Sequence, residues 1–137
     1  MTIGLVGEPI EVESILQETS AADCGALISF IGTVRNHHHG RRVLRLEYTA
    51  YEPMAEREMQ SIANTLRDRW PVRAVSMVHR LGVLEIGEAS ILIALSLAHR
   101  KEGFEALRYA IDRFKARVPI WKKEVYRDGA SEWVEGS

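Results

Sequence analysis

The sequence predicts an α+β fold, and three observations carry that reading. Strand-like and helix-like segments follow one another without a regular β–α–β repeat. Two long segments, 53–70 and 101–118, bring apolar residues back at helical spacing. Two alternating segments flank a short turn that contains Gly40. A chain of 137 residues, 46% hydrophobic and 27% charged, suffices for one domain spanning 1–137 around one core.

The elements follow in order. "EPIEVESILQE" reads as a short helix, with Val12, Ile15 and Leu16 on its apolar side. "CGALISFIGTVR" reads as a strand. Ala26, Ile28, Phe30 and Val34 share one face; Leu27 and Ile31 lie on the other with Ser29, Thr33 and Arg35. Apolar residues on both faces predict a buried, central strand. "VLRLEYTAY" alternates Leu44, Leu46, Tyr48 and Ala50 against Val43, Arg45, Glu47 and Thr49. The intervening "NHHHGRR" therefore reads as the loop of a hairpin joining these two strands. In "PMAEREMQSIANTLRDRW", Pro53 suits a first helical turn. Ala55, Met59, Ile62, Leu66 and Trp70 form the apolar stripe, and Pro71 ends the run. "VRAVSMVHRLG" and "SILIALSLA" read as strands joined by a loop containing Gly87. "KEGFEALRYAIDRFKARV" is the second long helix, with Phe104, Leu107, Ile111 and Phe114 as its predicted buried stripe. Pro119 ends it, "PIWKKEVY" is another strand, and "SEWV" is a short last one.

Charge is uneven. Net charge is −1, yet residues 99–127 carry nine basic side chains against four acidic ones, a local +5. That asymmetry predicts a local anionic ligand rather than general nucleic-acid affinity. No stretch approaches the roughly 20 apolar residues of a membrane helix, and "MTIGLVGEPI" is unlike a signal peptide. A lone cysteine, Cys24, permits no internal disulfide and fits a reducing cytoplasm. Its apolar context reads as a small buried hydrophobe rather than a nucleophile.

Four clusters bear on chemistry. His37, His38 and His39 are adjacent, so in extended chain they cannot converge as zinc ligands. They read as a solvated hairpin tip, and no metal is expected. Arg35 ends a strand, a rigid mount for a guanidinium that binds phosphate or carboxylate; an ion pair with Glu47 is the competing reading. His99, Arg100 and Lys101 open a helix, where the dipole disfavours cations. An external anion, or Glu102 and Glu105, would relieve them. Lys115 falls beside the predicted stripe rather than opposite it. Asp112 can pair with it and with Arg108. Lys122 and Lys123 diverge in a strand, so only one can share a pocket with Lys115. A lysine crowded by cations and partly desolvated has a lowered pKa and can act as acid, base or nucleophile. Nucleotide-binding glycine motifs are absent.

The strings "FIGTVRNHHHG", "LEYTAYEPMAEREM", "HRLGVLEIGE", "AHRKEGFEALRYAIDRFKARVPIWKKE" and "WVE" stand in order between about Gly25 and Glu135. Together they resemble the large, catalytic-subunit family of molybdopterin synthase, the MoaE type. The resemblance implies an α/β-hammerhead with a mixed, largely antiparallel sheet and two long helices. It implies a cytoplasmic sulfurtransferase of molybdenum cofactor biosynthesis that needs no cofactor of its own. The family works as a homodimer, and as a heterotetramer with two small ubiquitin-like sulfur-carrier subunits. The small subunit's C-terminal Gly-Gly thiocarboxylate delivers sulfur to cyclic pyranopterin monophosphate, forming the dithiolene of molybdopterin. By resemblance, Lys115 and Lys122 match the catalytic lysines, Arg35, His99 and Arg100 the anion-binding positions, and Phe30 an aromatic at the pocket. Many members continue past "WVE" with a basic tail serving the neighbouring subunit's pocket; here Gly136 and Ser137 follow, so that contribution is expected to be absent or supplied otherwise. A nucleic-acid module is the rival reading, but the aromatics fall mostly in core stripes rather than among the basic residues. A non-catalytic docking partner is the other rival, and intact Lys115 and Lys122 argue against it.

Overall fold

A computed structural model describes residues 2–136. In chain order the elements are β1 (Ile3–Val6), α1 (Val12–Thr19), β2 (Ala26–Thr33), β3 (His37–His38), β4 (Arg41–Ala50), α2 (Glu52–Arg69), β5 (Val72–Arg80), β6 (Gly82–Glu85), β7 (Ala89–Leu97), α3 (Lys101–Arg117), β8 (Ile120–Tyr126) and β9 (Ser131–Glu135). The α+β class and the two long helices are as expected. Strands β1 and β6 were not anticipated, because four residues are too few to show a period.

The strands form two sheets. One runs β1-β5-β7-β2, with β1 parallel to β5 and the other pairs antiparallel. The other runs β3-β4-β8-β9, with β6 also paired to β4. Helices α2 and α3 cover one face of the first sheet, where Val75, Met77, Ile93, Leu95 and Leu97 meet Met59, Leu66, Ala110 and Phe114. Alternate residues Val78 and Leu92 turn the other way, onto Ile15 of α1. Strand period two thus explains why β7 is buried from Ser90 to Leu97: both of its faces are covered. No helix among the described residues is long and apolar enough to cross a membrane.

Three expectations are corrected. Strand β2 is not central. It lies at the edge of the first sheet and leaves Leu27 and Ile31 about 40% exposed. Nor does β2 pair with β4: the two belong to different sheets, and the hairpin is a local one between β3 and β4. The buried face of α3 is also rotated. Gly103, Ala106, Leu107, Ala110 and Phe114 are buried, whereas Phe104 is 62% exposed. Small residues face the sheet because the helix lies close to it. A Cβ on Gly103 would stand 2.3 Å from Ile28 Cδ1. From this recentred face Lys115 is about 120° away, farther round the helix than the predicted stripe places it.

Candidate active site

Two residues beyond β2 the chain is pinned by backbone bonds. Val34 N–H donates to Glu88 O (3.0 Å) and Gly87 N–H donates to Val34 O (2.8 Å). Val34 is buried, so strand alternation sends Arg35 to the opposite side. There it lines a partly enclosed cavity of about 290 Å³ with Phe30, Tyr48, Lys115, Lys122, His38 and Glu124. Arg35 does not take Glu47 as a partner; Glu47 lies 3.5 Å from Arg45. Lys115 comes from the last turn of α3, where a cation suits the helix dipole. Asp112 lies 3.9 Å from Arg108, the local pairing anticipated on that helix. Strand β8 aligns Lys122 with Tyr48 and Glu124 with Leu46. Lys122 and Glu124 therefore share the face toward the cavity, while Lys123 takes the other.

The electrostatics favour an anion. Burial is the first cause holding the Lys122 ammonium below the usual lysine range. Glu124 opposes that shift, and Lys115 and Arg35 reinforce it. Glu124, 3% exposed, is the one carboxylate lining the cavity, set against Arg35, Lys115 and Lys122 there. It was missed in the sequence, although the two-residue step from Lys122 to Glu124 in a strand puts both on one face. A wider cleft of about 760 Å³ between β1 and α1 has Glu8, Glu11 and Glu18 among its lining residues and no lysine, arginine or histidine, so it repels anions.

The histidine run is divided by its turn. His39 (φ 50°) and Gly40 (φ 77°) make the two-residue bend between the paired positions His38 and Arg41. His37 and His39 are exposed, as a solvated tip requires. His38 is not: its side chain is 22% exposed and its Nδ1 donates to Glu124 Oε1 at 2.8 Å. The register β3 takes against β4 turns it inward, which adjacency in sequence does not reveal.

His99, Arg100 and Lys101 are exposed and line a separate hollow with Gly25, Ala98 and Phe104. They lie beyond Leu97, whereas Arg35 lies beyond Thr33, which pairs with Ala89 at the opposite end of β7. Nine residues of strand separate the two ends, roughly 25–30 Å. Within one chain, His99 and Arg100 therefore do not reach the cavity of Arg35, Lys115 and Lys122. Cys24 is half-buried rather than fully buried, with Sγ 3.8 Å from Asp23 Oδ1.

Comparisons with known proteins converge. The family model described as MoaE protein matches residues 5–117. The molybdopterin synthase catalytic subunit of Bos taurus is 47% identical over 131 residues, which is 96% of this chain and 69% of that protein. The protein of the same name from Bacillus subtilis is 46% identical over 92% of this chain and 80% of its own length. In three dimensions, the crystal structure of molybdopterin synthase from Staphylococcus aureus superposes with a TM-score of 0.90 at 42% identity, covering 96% of each chain.

Proposed function

The chain belongs to the MoaE family, the catalytic subunits of the sulfur-transferring enzyme molybdopterin synthase, and we propose that the cavity between Arg35, Lys115 and Lys122 is where it transfers sulfur. The acceptor is cyclic pyranopterin monophosphate, and the donor is the C-terminal thiocarboxylate of a small ubiquitin-like subunit. Both are anions. The observation that carries this reading is the half-buried Lys122, its pKa lowered beside Lys115 and Arg35 in a cavity near the small end of ligand-site volumes. Arg35 presents a guanidinium fork suited to a phosphate. Opening the cyclic phosphate and losing water need proton transfers, which a lysine poised nearer neutrality provides. Cation density in a partly enclosed site stabilises the negative charge that develops on the intermediate.

The far placement of His99 and Arg100 supports a homodimer in this reading. If both clusters bind one substrate, a second copy has to bring its own His99–Arg100 end to the cavity. Leu27 and Phe104, exposed beside that end, are apolar surface such an association would bury. With two small subunits the assembly is a heterotetramer, and a reducing cytoplasm suits its single cysteine. The test is reconstitution: purified protein, thiocarboxylated small subunit and cyclic pyranopterin monophosphate should yield the dithiolene product, from a sedimenting complex of two large and two small subunits. A well-formed complex that makes no product would favour the docking-partner reading; monomers throughout would sink the assembly.

In that assay Arg35→Ala should weaken acceptor binding by roughly 1.5–3 kcal/mol, the worth of a charge-assisted phosphate contact. Melting temperature should barely move, because the side chain is exposed. A collapse in melting temperature with normal affinity in the remaining folded protein would make Arg35 structural instead.

A further inference from the structure

Glu124 is a buried carboxylate inside a cationic site, and its hydrogen-bond donors decide which way it faces. Oε1 accepts from His38 Nδ1 at 2.8 Å and from Tyr126 Oη at 3.2 Å. The tyrosine has one hydroxyl hydrogen, and its oxygen also lies 3.2 Å from Glu132 Oε2. It cannot serve both carboxylates at once. His38 is therefore the one of these two donors with no rival acceptor of its Nδ1–H among the described contacts. Because the acceptor is a carboxylate, Nδ1 carries the hydrogen whether the ring is neutral or charged.

Lys122 stands two residues from Glu124 on the same face of β8, about 7 Å away along the strand. An ammonium at that separation is the natural partner for a buried carboxylate. Yet no Lys122–Glu124 ion pair forms within 4.0 Å; the carboxylate faces the β3 hairpin. We propose that His38 is a positioning residue of this site: its Nδ1–H holds Glu124 toward the hairpin and so keeps that carboxylate from neutralising Lys122. The balance around Lys122 agrees. Burial, Lys115 and Arg35 all depress its proton affinity, and Glu124 is the group that opposes them.

The charged and titratable neighbours are few enough to name. Lys115 faces the cavity from α3, Arg35 from the segment after β2, Tyr48 from β4 and His37 from β3. On the outer side of Glu124, Arg41 lies over the Tyr126 ring at 3.6 Å and pairs with Asp128 at 3.3 Å and with Glu132 at 3.9 Å. Among the described contacts, Tyr126 is the other side-chain donor to Glu124, and Glu132 competes for its hydrogen. Removing the imidazole leaves Oε1 with only the Tyr126 hydroxyl, whose hydrogen Glu132 also draws, and Lys122 is positioned to supply a second donor.

The test reads Lys122 directly, by NMR titration of isotope-labelled lysine side chains in the whole chain, with the Lys122→Arg spectrum giving the assignment. In His38→Ala the Lys122 titration should move up by about one pH unit, the scale of an opposite charge brought within contact distance. His38→Asn, whose amide places a donor near the Nδ1 position, should titrate close to the wild type. An unchanged midpoint in folded His38→Ala overturns the proposal. So does a shift of the same size in His38→Asn, since that variant keeps the donor and loses only the ring. This arm needs no substrate. A second arm rests on the sulfur-transfer reading: the acid limb of kcat in His38→Ala should move up with Lys122, lowering the rate near pH 7 about tenfold. KM should stay put and the rate should recover at higher pH. A loss of kcat that is equal at every pH means a merely structural role and counts against the proposal. If the wild type transfers no sulfur, the functional reading fails while the titration still decides the role of His38.

Discussion

Lys122→Ala and Lys115→Ala should each lower sulfur transfer by at least about 10²-fold, the scale of proton transfer or electrostatic stabilisation in an enclosed site. The two ammonium groups line the same cavity from consecutive elements, the last turn of α3 and β8, between which the chain reverses at Val118 and Pro119. Both can thus contact one anionic intermediate. Lys123 is the internal control. It lies on the opposite face of β8, aligned with Glu47 on one side and Trp133 on the other. Lys123→Ala should fall within the range of ordinary surface substitutions, about ±0.5 kcal/mol for stability, with activity little changed. Lys122→Arg should not restore the rate, because a guanidinium keeps the charge but holds its proton at any working pH. The measurement is single-turnover product formation with saturating thiocarboxylated partner, with circular dichroism to confirm the fold. Near wild-type rates in both alanine variants would remove the lysines from the chemistry.

Acidification should cost the fold roughly 3 kcal/mol between about pH 6.5 and pH 4 through His79 alone. His79 is fully buried on β5, stacked on Phe114 at 5.7 Å and edge-on to Tyr48 at 4.8 Å. Its Nδ1 donates to the carbonyl of Arg80 at 2.8 Å, which leaves Nε2 as the bare ring nitrogen, without a partner among the described residues. Burial is the main cause that lowers its pKa to about 4; the Arg80 carbonyl works the other way, and Lys115 adds to the depression. The unfolded chain, near 6.5, therefore binds the proton first. The stabilisation is complete above about pH 6.5 and is lost as pH falls through the folded value. Urea unfolding at a series of pH values should show the slope beginning well above the carboxylate range. His79→Leu should flatten it between pH 6.5 and 5, whatever that substitution does to stability at pH 7. An equal slope in the variant would place the acid sensitivity elsewhere.

Much of this was legible in the sequence because it is local. Pro53 marks the first turn of α2, and Pro71 and Pro119 stop the two long helices. Gly40 marks a hairpin turn, though the strands it joins are β3 and β4 rather than β2 and β4, and strand period two separates Lys122 from Lys123. The ordered motifs gave the family and, by resemblance, singled out Lys115, Lys122 and Arg35, which line one cavity. What the tertiary structure decided depends on neighbours that a period cannot name. The apolar outer face of β2 looked like burial, yet the strand lies at a sheet edge with Leu27 and Ile31 exposed. In α3 the helix comes so close to the sheet that Gly103, Ala106 and Ala110 face inward and the large Phe104 is left outside. Hydrophobic size therefore pointed to the wrong face. His38 was indistinguishable from His37 and His39 until the pairing of β3 with β4 turned it onto Glu124, 86 residues away. His99 and Arg100 match anion-binding positions as Arg35 does, but which copy brings them to a site is decided by β7, whose length sets them far from Arg35 within one chain. Sequence spacing fixes which residues share a face of one element; only the packing of elements against one another fixes which faces meet, because that is set by contacts between residues distant in the chain.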